Sequence, residues 1–175
     1  MTNETQNVSQ KVQDVIDKQE IHDNLMRYCR GQDRKDLELT KSIFWPEATD
    51  NHGAFVGNAH EFCEWSYHGH KISGHFAIHH CSNVLIEVNG DQAKCESAFL
   101  YVWIDPHKNE TKLLGGRYKD ACQKRNGEWK VLRRSTIFDW ANQLSGARDF
   151  EGIFGMPPTA LKGDHYPNDL IYADW

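Results

Sequence analysis

The sequence predicts an α+β domain in which helices come first and a meander of antiparallel strands follows. Apolar residues recur at helical spacing in the first part of the chain, whereas from Gly74 onward they alternate with a period of two. Asn-Gly pairs at 89–90 and 126–127 separate the alternating runs, and Asn-Gly is a favoured turn of a two-residue β-hairpin. Because helices precede a run of strands, we expect a curved sheet that wraps around the helices.

Three helices and a short hairpin are expected before the main strands. Gly31 is expected to end the first helix, and Pro46, whose ring cannot continue a helix, is expected to end the second. Asp33 therefore lies at the corner between these two helices. The expected bounds are about 8–30 and 36–45 for the first two helices, 47–56 for the hairpin and 59–68 for the third helix. The expected strands lie near 82–88, 93–104, 112–124 and 128–139.

The chain length of 175 residues suits one domain with a real hydrophobic core. We expect a polar tail over 1–9, the domain itself over 10–142, and an extension over 143–175 that packs on the pocket or on a neighbouring subunit. The chain has 6 Trp, 6 Tyr and 8 Phe, which is more flat apolar surface than a minimal core needs. An aromatic-lined pocket is one use for that surface.

The charge pattern excludes two classes of partner. The formal net charge is -5 and the Lys and Arg residues are scattered, so neither nucleic acid nor an anionic membrane surface is an expected partner. No stretch approaches the length of a transmembrane helix, and the polar N-terminus lacks the order of a signal peptide, which favours a cytoplasmic location. The five cysteines form no C-x-x-C pair and are expected to be buried free thiols.

Two short segments carry the candidate chemistry. Residues 28–33 (Tyr-Cys-Arg-Gly-Gln-Asp) end the first helix, and residues 78–83 (Ile-His-His-Cys-Ser-Asn) lead into a strand. Imidazole titrates near neutrality, and a neighbouring carboxylate fixes its tautomer and stabilises the imidazolium formed on proton capture. His79 oriented by Asp33 is therefore the candidate base. Taken singly, Asp33 is better interpreted as a helix cap and His79 as a buried hydrogen-bonding residue.

Two further residues are candidates for handling negative charge. The hydroxyl of Tyr28, five residues before Asp33, is placed to donate to a departing oxygen or to a developing enolate. Arg134 alternates with Leu132, Thr136 and Phe138 along one strand, so it becomes an anion clamp if that face lines a pocket. The alternatives are ordinary core packing for Tyr28 and a solvated strand arginine for Arg134.

A metal site is the rival chemical interpretation. His75 with His79, and His68 with His70, have spacings seen in metal sites. An i, i+4 pair chelates only on a helix, and the strand pattern after Gly74 argues against a helix there. The sequence also lacks a glycine-rich phosphate loop, a G-x-S-x-G elbow and a dinucleotide fingerprint. No metal and no cofactor are therefore expected.

The order of these elements resembles the SnoaL-like branch of the nuclear-transport-factor-2-like (cystatin-like α+β) superfamily over roughly residues 10–146. The chain is similar to the group of hexachlorocyclohexane dehydrochlorinase, scytalone dehydratase and bile-acid dehydratase, which are cofactor-independent lyases with a catalytic Asp and His in a cone-shaped pocket. The segments that carry the resemblance are 28–33, Ser42-Ile-Phe-Trp45, 78–83, Asn-Gly-Glu-Trp-Lys-Val at 126–131, and Arg133-Arg134.

The resemblance implies that Asp33 and His79 form the catalytic dyad. Tyr28 falls where the bile-acid dehydratases carry a tyrosine and the dehydrochlorinase a lysine, and Arg134 falls at a pocket arginine. It also implies that some strand faces look into the pocket, although aromatic residues at alternating positions are also typical of plain core. The candidate substrate-binding residues are Trp45, Phe99, Tyr101, Trp103, Tyr118 and Phe138.

The expected function is a cofactor-free lyase, most simply a dehydratase, acting on a cyclic or aromatic small molecule. One alternative is a deformylating lyase or isomerase of lignin-derived or steroid-like compounds that uses the same residues. A second alternative is a non-catalytic binding module or the small subunit of a ring-hydroxylating dioxygenase, with an absent or filled pocket. The resemblance favours a homo-oligomer, and a trimer in particular.

Overall fold

The α+β class predicted from the change of hydrophobic period is confirmed. The structure is a computed structural model and describes residues 3–105, 107–145, 157–159, 164–169 and 172. Within these residues, helices come first and a sheet of six strands follows. The elements are α1 (Asn3–Arg34), α2 (Leu37–Ser42), β1 (Phe44–Asn51), β2 (Val56–Asn58), α3 (Ala59–Ser73), β3 (Phe76–Asn89), β4 (Gln92–Asp105), β5 (Glu110–Arg125) and β6 (Glu128–Ser145).

The sheet is mixed, in the order β2-β1-β6-β5-β4-β3. Strands β1 and β6 are parallel, and every other neighbouring pair is antiparallel. Helix α1 packs on β3 and β6, and α3 packs on β1 and β2. The helices therefore cover one face of an open sheet, with β1 and β3 separated by three strands. No helix of the described residues is long and apolar enough to span a membrane.

The turn chemistry predicts the strand connections well. Asn126 and Gly127 both have positive φ, at 52° and 84°, as a two-residue hairpin turn requires. Strands β3, β4 and β5 are longer than expected at both ends and β6 only at its C-terminal end, and β3 begins at Phe76 instead of near residue 82. His79 therefore lies within a strand, opposite Tyr101 of β4.

The second helix is shorter than the expected 36–45. It is capped by Asp36, whose carboxylate accepts a hydrogen bond from the Leu39 amide at 3.1 Å, and it ends at Ser42. Phe44 instead begins β1 and pairs with Val131 of β6. A proline disfavours the helical conformation of the residue that precedes it, here Trp45. Pro46 itself falls in a gap in the pairing of β1 with β6, where its missing N–H is tolerated.

Gly31 does not end the first helix, which continues to Arg34. A Cβ at this glycine would lie 2.8 Å from the backbone nitrogen of Thr40, so Gly31 allows α1 and α2 to approach closely. The extra turn of α1 places Asp33 inside the helix instead of at an interhelical corner. Its side chain is consequently held rigidly against β3.

A β-bulge in β6 changes which residues face the helices. Ala121 of β5 pairs with Arg133, and the adjacent Cys122 pairs with Val131, so Leu132 is an extra residue. A bulge of this kind reverses the alternation of side chains beyond it. Val131 and Arg134 are therefore both buried, at 4% and 1% exposed, and Leu132 does not share the face of Arg134 as expected.

Part of the C-terminal extension packs on the end of α1 and the start of β3. The Tyr166 amide donates to the Arg34 carbonyl at 2.6 Å, and the His165 ring stacks on Phe76 with centroids 4.6 Å apart. Arg34 also forms an ion pair with Asp169 at 3.3 Å. Residues 143–145 of the expected extension are the end of β6, and most of its other residues lie outside the described residues.

Candidate active site

Asp33 and His79, which are 46 residues apart in sequence, form a hydrogen-bonded pair. Oδ1 of Asp33 lies 2.5 Å from Nδ1 of His79, and the His79 amide lies 3.0 and 2.9 Å from the two carboxylate oxygens. The two side chains are 10% and 8% exposed. Because the carboxylate accepts from Nδ1–H, the tautomer is fixed and Nε2 is left as an acceptor.

His79 lies on the wall of a cavity of about 170 Å³, and Asp33 is hydrogen-bonded to it from outside the lining. A cavity of roughly 150 Å³ holds a benzene molecule, so this one is large enough for a single ring. Aromatic side chains form most of the wall. The lining residues are Tyr28, Gln32, His52, Phe62, Trp65, Ser66, His70, His79, Phe99, Tyr101, Leu114, Tyr118 and Phe138.

Four of the six expected substrate-binding residues line this cavity, namely Phe99, Tyr101, Tyr118 and Phe138. Phe99 stacks on Tyr118 with centroids 4.6 Å apart, and the Tyr101 centroid is 4.5 Å from that of His79. A Cβ at Gly116 would lie 2.7 Å from the Phe99 ring, so this glycine gives the ring the space to lie against β5. Their roles toward a substrate stay predictions.

The other two expected residues, Trp45 and Trp103, do not line the cavity. Since β1 begins at Phe44, which is buried, Trp45 points to the opposite face, where its Nε1 donates to the Gln123 carbonyl at 3.0 Å. Trp103 lies further along β4, and its ring packs 4.9 Å from that of His75.

Arg134 lies beside the cavity and does not line it. Its side chain is fully buried, and Nε and Nη2 donate to the two carboxylate oxygens of Asp120 at 2.8 and 2.6 Å. The guanidinium carbon is 4.2 Å from the ring centroid of Tyr28 and 4.4 Å from that of Tyr118. The structure therefore does not place Arg134 on the cavity wall as the expected anion clamp, because its Nε and Nη2 are engaged by Asp120 and it packs against the two rings. Its Nη1 is buried without a hydrogen-bond partner among the described residues.

Tyr28 lines the cavity between His79 and Tyr118, at centroid distances of 6.1 and 5.7 Å. Its hydroxyl makes no hydrogen bond to any of the described residues. Burial raises the pKa of Tyr28 well above its usual value, and the buried carboxylate of Asp50 adds to the effect. The hydroxyl is therefore a neutral donor that is free to bond a molecule in the cavity.

Four polar residues of the wall were not among the predicted site residues, namely Gln32, His52, Ser66 and His70. Gln32 accepts a hydrogen bond from Ser66 Oγ at 3.0 Å, while its own Nε2 is buried without a partner in the described part of the chain. Burial lowers the pKa of His70 to about 4, so this ring is neutral at physiological pH. His52 is hydrogen-bonded to Asp50 at 2.9 Å. The sequence signal for His52 is the turn-like Asp-Asn-His-Gly at 50–53, which by itself predicts only a hairpin.

The histidines of the metal hypothesis have different surroundings, although the rings of His70 and His75 are in contact with centroids 4.5 Å apart. His75 is 2% exposed and bonds to Ser73 through Nδ1, while His79 pairs with Asp33. His68 is exposed and His70 lines the cavity. Over residues whose positions the structure describes, no three His, Cys, Asp or Glu side chains come together as a metal-binding group.

Comparison with known proteins gives a family and a fold. The family model of the SnoaL-like domain matches residues 13–135. A putative scytalone dehydratase from Novosphingobium aromaticivorans is 20% identical with a TM-score of 0.68, covering 77% of this chain and 93% of that one. A hexachlorocyclohexane dehydrochlorinase from Novosphingobium barchaimii is 19% identical with a TM-score of 0.70, covering 78% and 95%.

A protein of unknown function with a cystatin-like fold from Nostoc punctiforme is 23% identical with a TM-score of 0.60, covering 71% of this chain and 92% of that one. At these identities the likenesses show a shared fold, and the expected cystatin-like architecture is confirmed. Among curated proteins, no sequence matches the chain.

Proposed function

The chain belongs to the family of SnoaL-like domains, and from this premise we propose that it is a cofactor-independent lyase that removes water from a cyclic or aromatic small molecule. The observation that carries the proposal is the hydrogen bond between Asp33 and His79 on the wall of an aromatic cavity. Two of the structurally similar proteins are named a dehydratase and a dehydrochlorinase, and both names describe eliminations.

His79 is the base of the proposed reaction. With Nδ1–H bonded to Asp33, Nε2 accepts a proton from a carbon of the substrate. Asp33 stabilises the imidazolium that results, and the three hydrogen bonds between the two residues hold the ring in place. A positioned base of this kind contributes about 10²–10⁴-fold to a rate.

Tyr28 is the donor for negative charge that develops on a substrate oxygen. Its hydroxyl is neutral, faces the cavity and has no competing acceptor in the described residues. Arg134 acts on this donor indirectly, because its guanidinium packs against the Tyr28 ring and holds it. Donation from a fixed, buried hydroxyl stabilises an oxyanion without reorganisation at the moment of reaction.

The alternative without catalysis is a binding module or a dioxygenase small subunit. That alternative expects the pocket to be absent or filled by side chains. The open cavity beside His79 favours the enzyme, because a base next to open space has room for a reacting molecule.

The experiment is a screen of hydroxylated alicyclic and aromatic compounds with mass detection of the products. Loss of water supports the dehydratase, whereas loss of formaldehyde or an unchanged mass supports the deformylating lyase or the isomerase. For the compound found, Asp33→Asn and His79→Gln are expected to lower kcat/KM by about 10²–10⁴-fold. The matched control is His80→Gln, an exposed neighbour on the same strand, which leaves the rate unchanged. Full turnover by the folded Asp33 and His79 variants overturns the proposal.

A further inference from the structure

A second aspartate and histidine form a hydrogen-bonded pair, and its histidine lines the same cavity. His52 directly follows β1, and its Nδ1 lies 2.9 Å from Oδ1 of Asp50 within that strand. The Asp50 side chain is fully buried, and 19% of the His52 side chain is exposed. The pair is thus built within one hairpin, whereas Asp33 and His79 join α1 to β3.

The ring of His52 is held in one orientation. It stacks on Phe62, with centroids 4.2 Å apart and an interplanar angle of 17°. Thr136 Oγ1 lies at the edge of the ring, 3.1 Å from Nδ1 and 3.5 Å from Nε2. Because Nδ1–H is directed at Asp50, Nε2 is the nitrogen that remains for a molecule in the cavity.

The charged residues around the pair determine which side chain contacts the buried carboxylate of Asp50. Arg134 lies opposite Asp50 in the register of β1 and β6, yet its hydrogen bonds go to Asp120. Oδ2 of Asp50 is buried and has no hydrogen-bond partner among the described residues. A buried carboxylate is costly unless hydrogen-bond donors or a cation accompany it, and His52 is the side chain that hydrogen-bonds this one.

The two histidines reach the cavity from strands near opposite edges of the sheet. His79 is on β3 and His52 at the end of β1, and three strands lie between β1 and β3. The rings of Tyr28 and Tyr118 span the gap, with the Tyr118 centroid 6.2 Å from that of His52. A single ring in this space can meet a base on one side and an acid on the other.

We propose that His52, oriented by Asp50, is the general acid of the elimination; the inference rests on the proposed function, in which His79 is the base. His79 takes the proton from carbon, and the C–H electron pair becomes the new C=C bond. The C–O bond breaks, and the departing oxygen takes the proton from Nε2 of His52 and leaves as water. His79 has then gained one proton and His52 has lost one, so transfer of a proton through solvent restores the site.

The test uses two probes with different leaving groups and the same product. An imidazole removes a proton only from an activated carbon, so each probe is a small cyclic ketone. Both 3-hydroxycyclohexanone and 3-acetoxycyclohexanone give cyclohexenone, which is followed by its ultraviolet absorbance after subtraction of the uncatalysed rate. Hydroxide needs a proton to leave, whereas acetate leaves as a stable anion.

His52→Gln is expected to lower kcat/KM for the hydroxy probe by about 10²–10⁴-fold and for the acetoxy probe by less than about tenfold. Asp50→Asn, which acts through His52, is expected to change the ratio of the two rates in the same direction. His79→Gln lowers both rates, and the His80→Gln control changes neither. The ratio of the two rates in one sample does not depend on how much of the variant is folded.

An equal loss on both probes in His52→Gln, or no loss on either, overturns the assignment of His52 while leaving His79 as the base. A wild-type protein that eliminates from neither probe, or a His79→Gln variant that retains both rates, overturns the proposed function and the role of His52 with it. The two failures are therefore distinguishable.

Discussion

Two buried carboxylate pairs contact the ring of Tyr28, and only one of them faces the cavity. In the pair of Asp33 and His79, the carboxylate bonds one ring nitrogen and leaves the other available. In the pair of Asp120 and Arg134, both carboxylate oxygens are bonded by the guanidinium and the side chains are 3% and 0% exposed. The unbonded ring nitrogen of His79 at the cavity marks the candidate chemistry. The pair of Asp120 and Arg134, called the closed pair because both of its carboxylate oxygens are bonded, supports the cavity wall.

The largest expected effect comes from breaking the closed pair. Arg134→Met leaves Asp120 buried without its partner, so we expect the free energy of unfolding to fall by about 3–5 kcal/mol. The matched control is Arg117→Met, which breaks another two-bond Arg–Asp pair between β5 and β6, with Asp139, whose side chains are 41% and 42% exposed. Its loss is expected to be at most about 1 kcal/mol. Urea denaturation of both variants measures the difference.

Replacing both members of the closed pair distinguishes the cost of leaving a buried charge unpaired from the stability that the ion pair itself contributes. Asp120→Leu combined with Arg134→Met removes both charges, and most of the stability lost in Arg134→Met alone is expected to return. Urea denaturation of a double variant no more stable than Arg134→Met would contradict the view that the orphaned carboxylate causes the loss.

A smaller effect, on kcat, is expected from replacing Tyr28, the residue that both pairs contact. Tyr28→Phe removes the free hydroxyl and retains the ring, so kcat is expected to fall by about 10²-fold on the substrate found by the screen. Because this hydroxyl has no hydrogen bond in the described residues, the free energy of unfolding should change by less than about 1 kcal/mol. Steady-state kinetics and urea denaturation on one sample measure both quantities. Unchanged kcat would remove Tyr28 from the site.

The effect that is smallest at neutral pH concerns a buried histidine that has no carboxylate at hydrogen-bonding distance among the described residues. Burial lowers the pKa of His75 from 6.5 to about 3, with His70 and Lys35 adding to the shift. Between these values the unfolded chain binds a proton that the folded protein excludes, so stability is fully present above pH 6.5 and falls as the pH is lowered. His75→Asn is expected to reduce this pH dependence by about one proton. Denaturation midpoints at several pH values test it, and an unchanged slope contradicts it.

The sequence predicts best what depends on turns and on the order of elements. Asn126 and Gly127 predict their hairpin because positive φ at both positions needs those residues. The pairing of Asp33 with His79 was suggested by resemblance, since 46 residues separate them and only the packing of α1 on β3 brings them together. Local patterns carry no information about such a distant contact.

The errors have identifiable physical causes. The resemblance implies a pocket position for Trp45, while the strand that begins at Phe44 turns its side chain to the other face. Arg134 was expected to be free because Asp120, on a neighbouring strand, cannot be paired with it before the register is known. The hydrogen bond from His52 to Asp50 was missed because a turn signal accounts for the same residues.

The extra residue at Leu132 fixes the number of residues that β6 must have between Val131 and Arg134, whatever their side chains are. Because of the bulge, the side chains of Arg134, Thr136 and Phe138 point toward the helices, as those of Trp129 and Val131 do before it. Deleting one residue between Val131 and Arg134 would send the second half of β6 outward and empty one wall of the cavity, even with every other residue retained. For an engineer of this scaffold, the spacing in β6 is a harder constraint than the identity of residue 132.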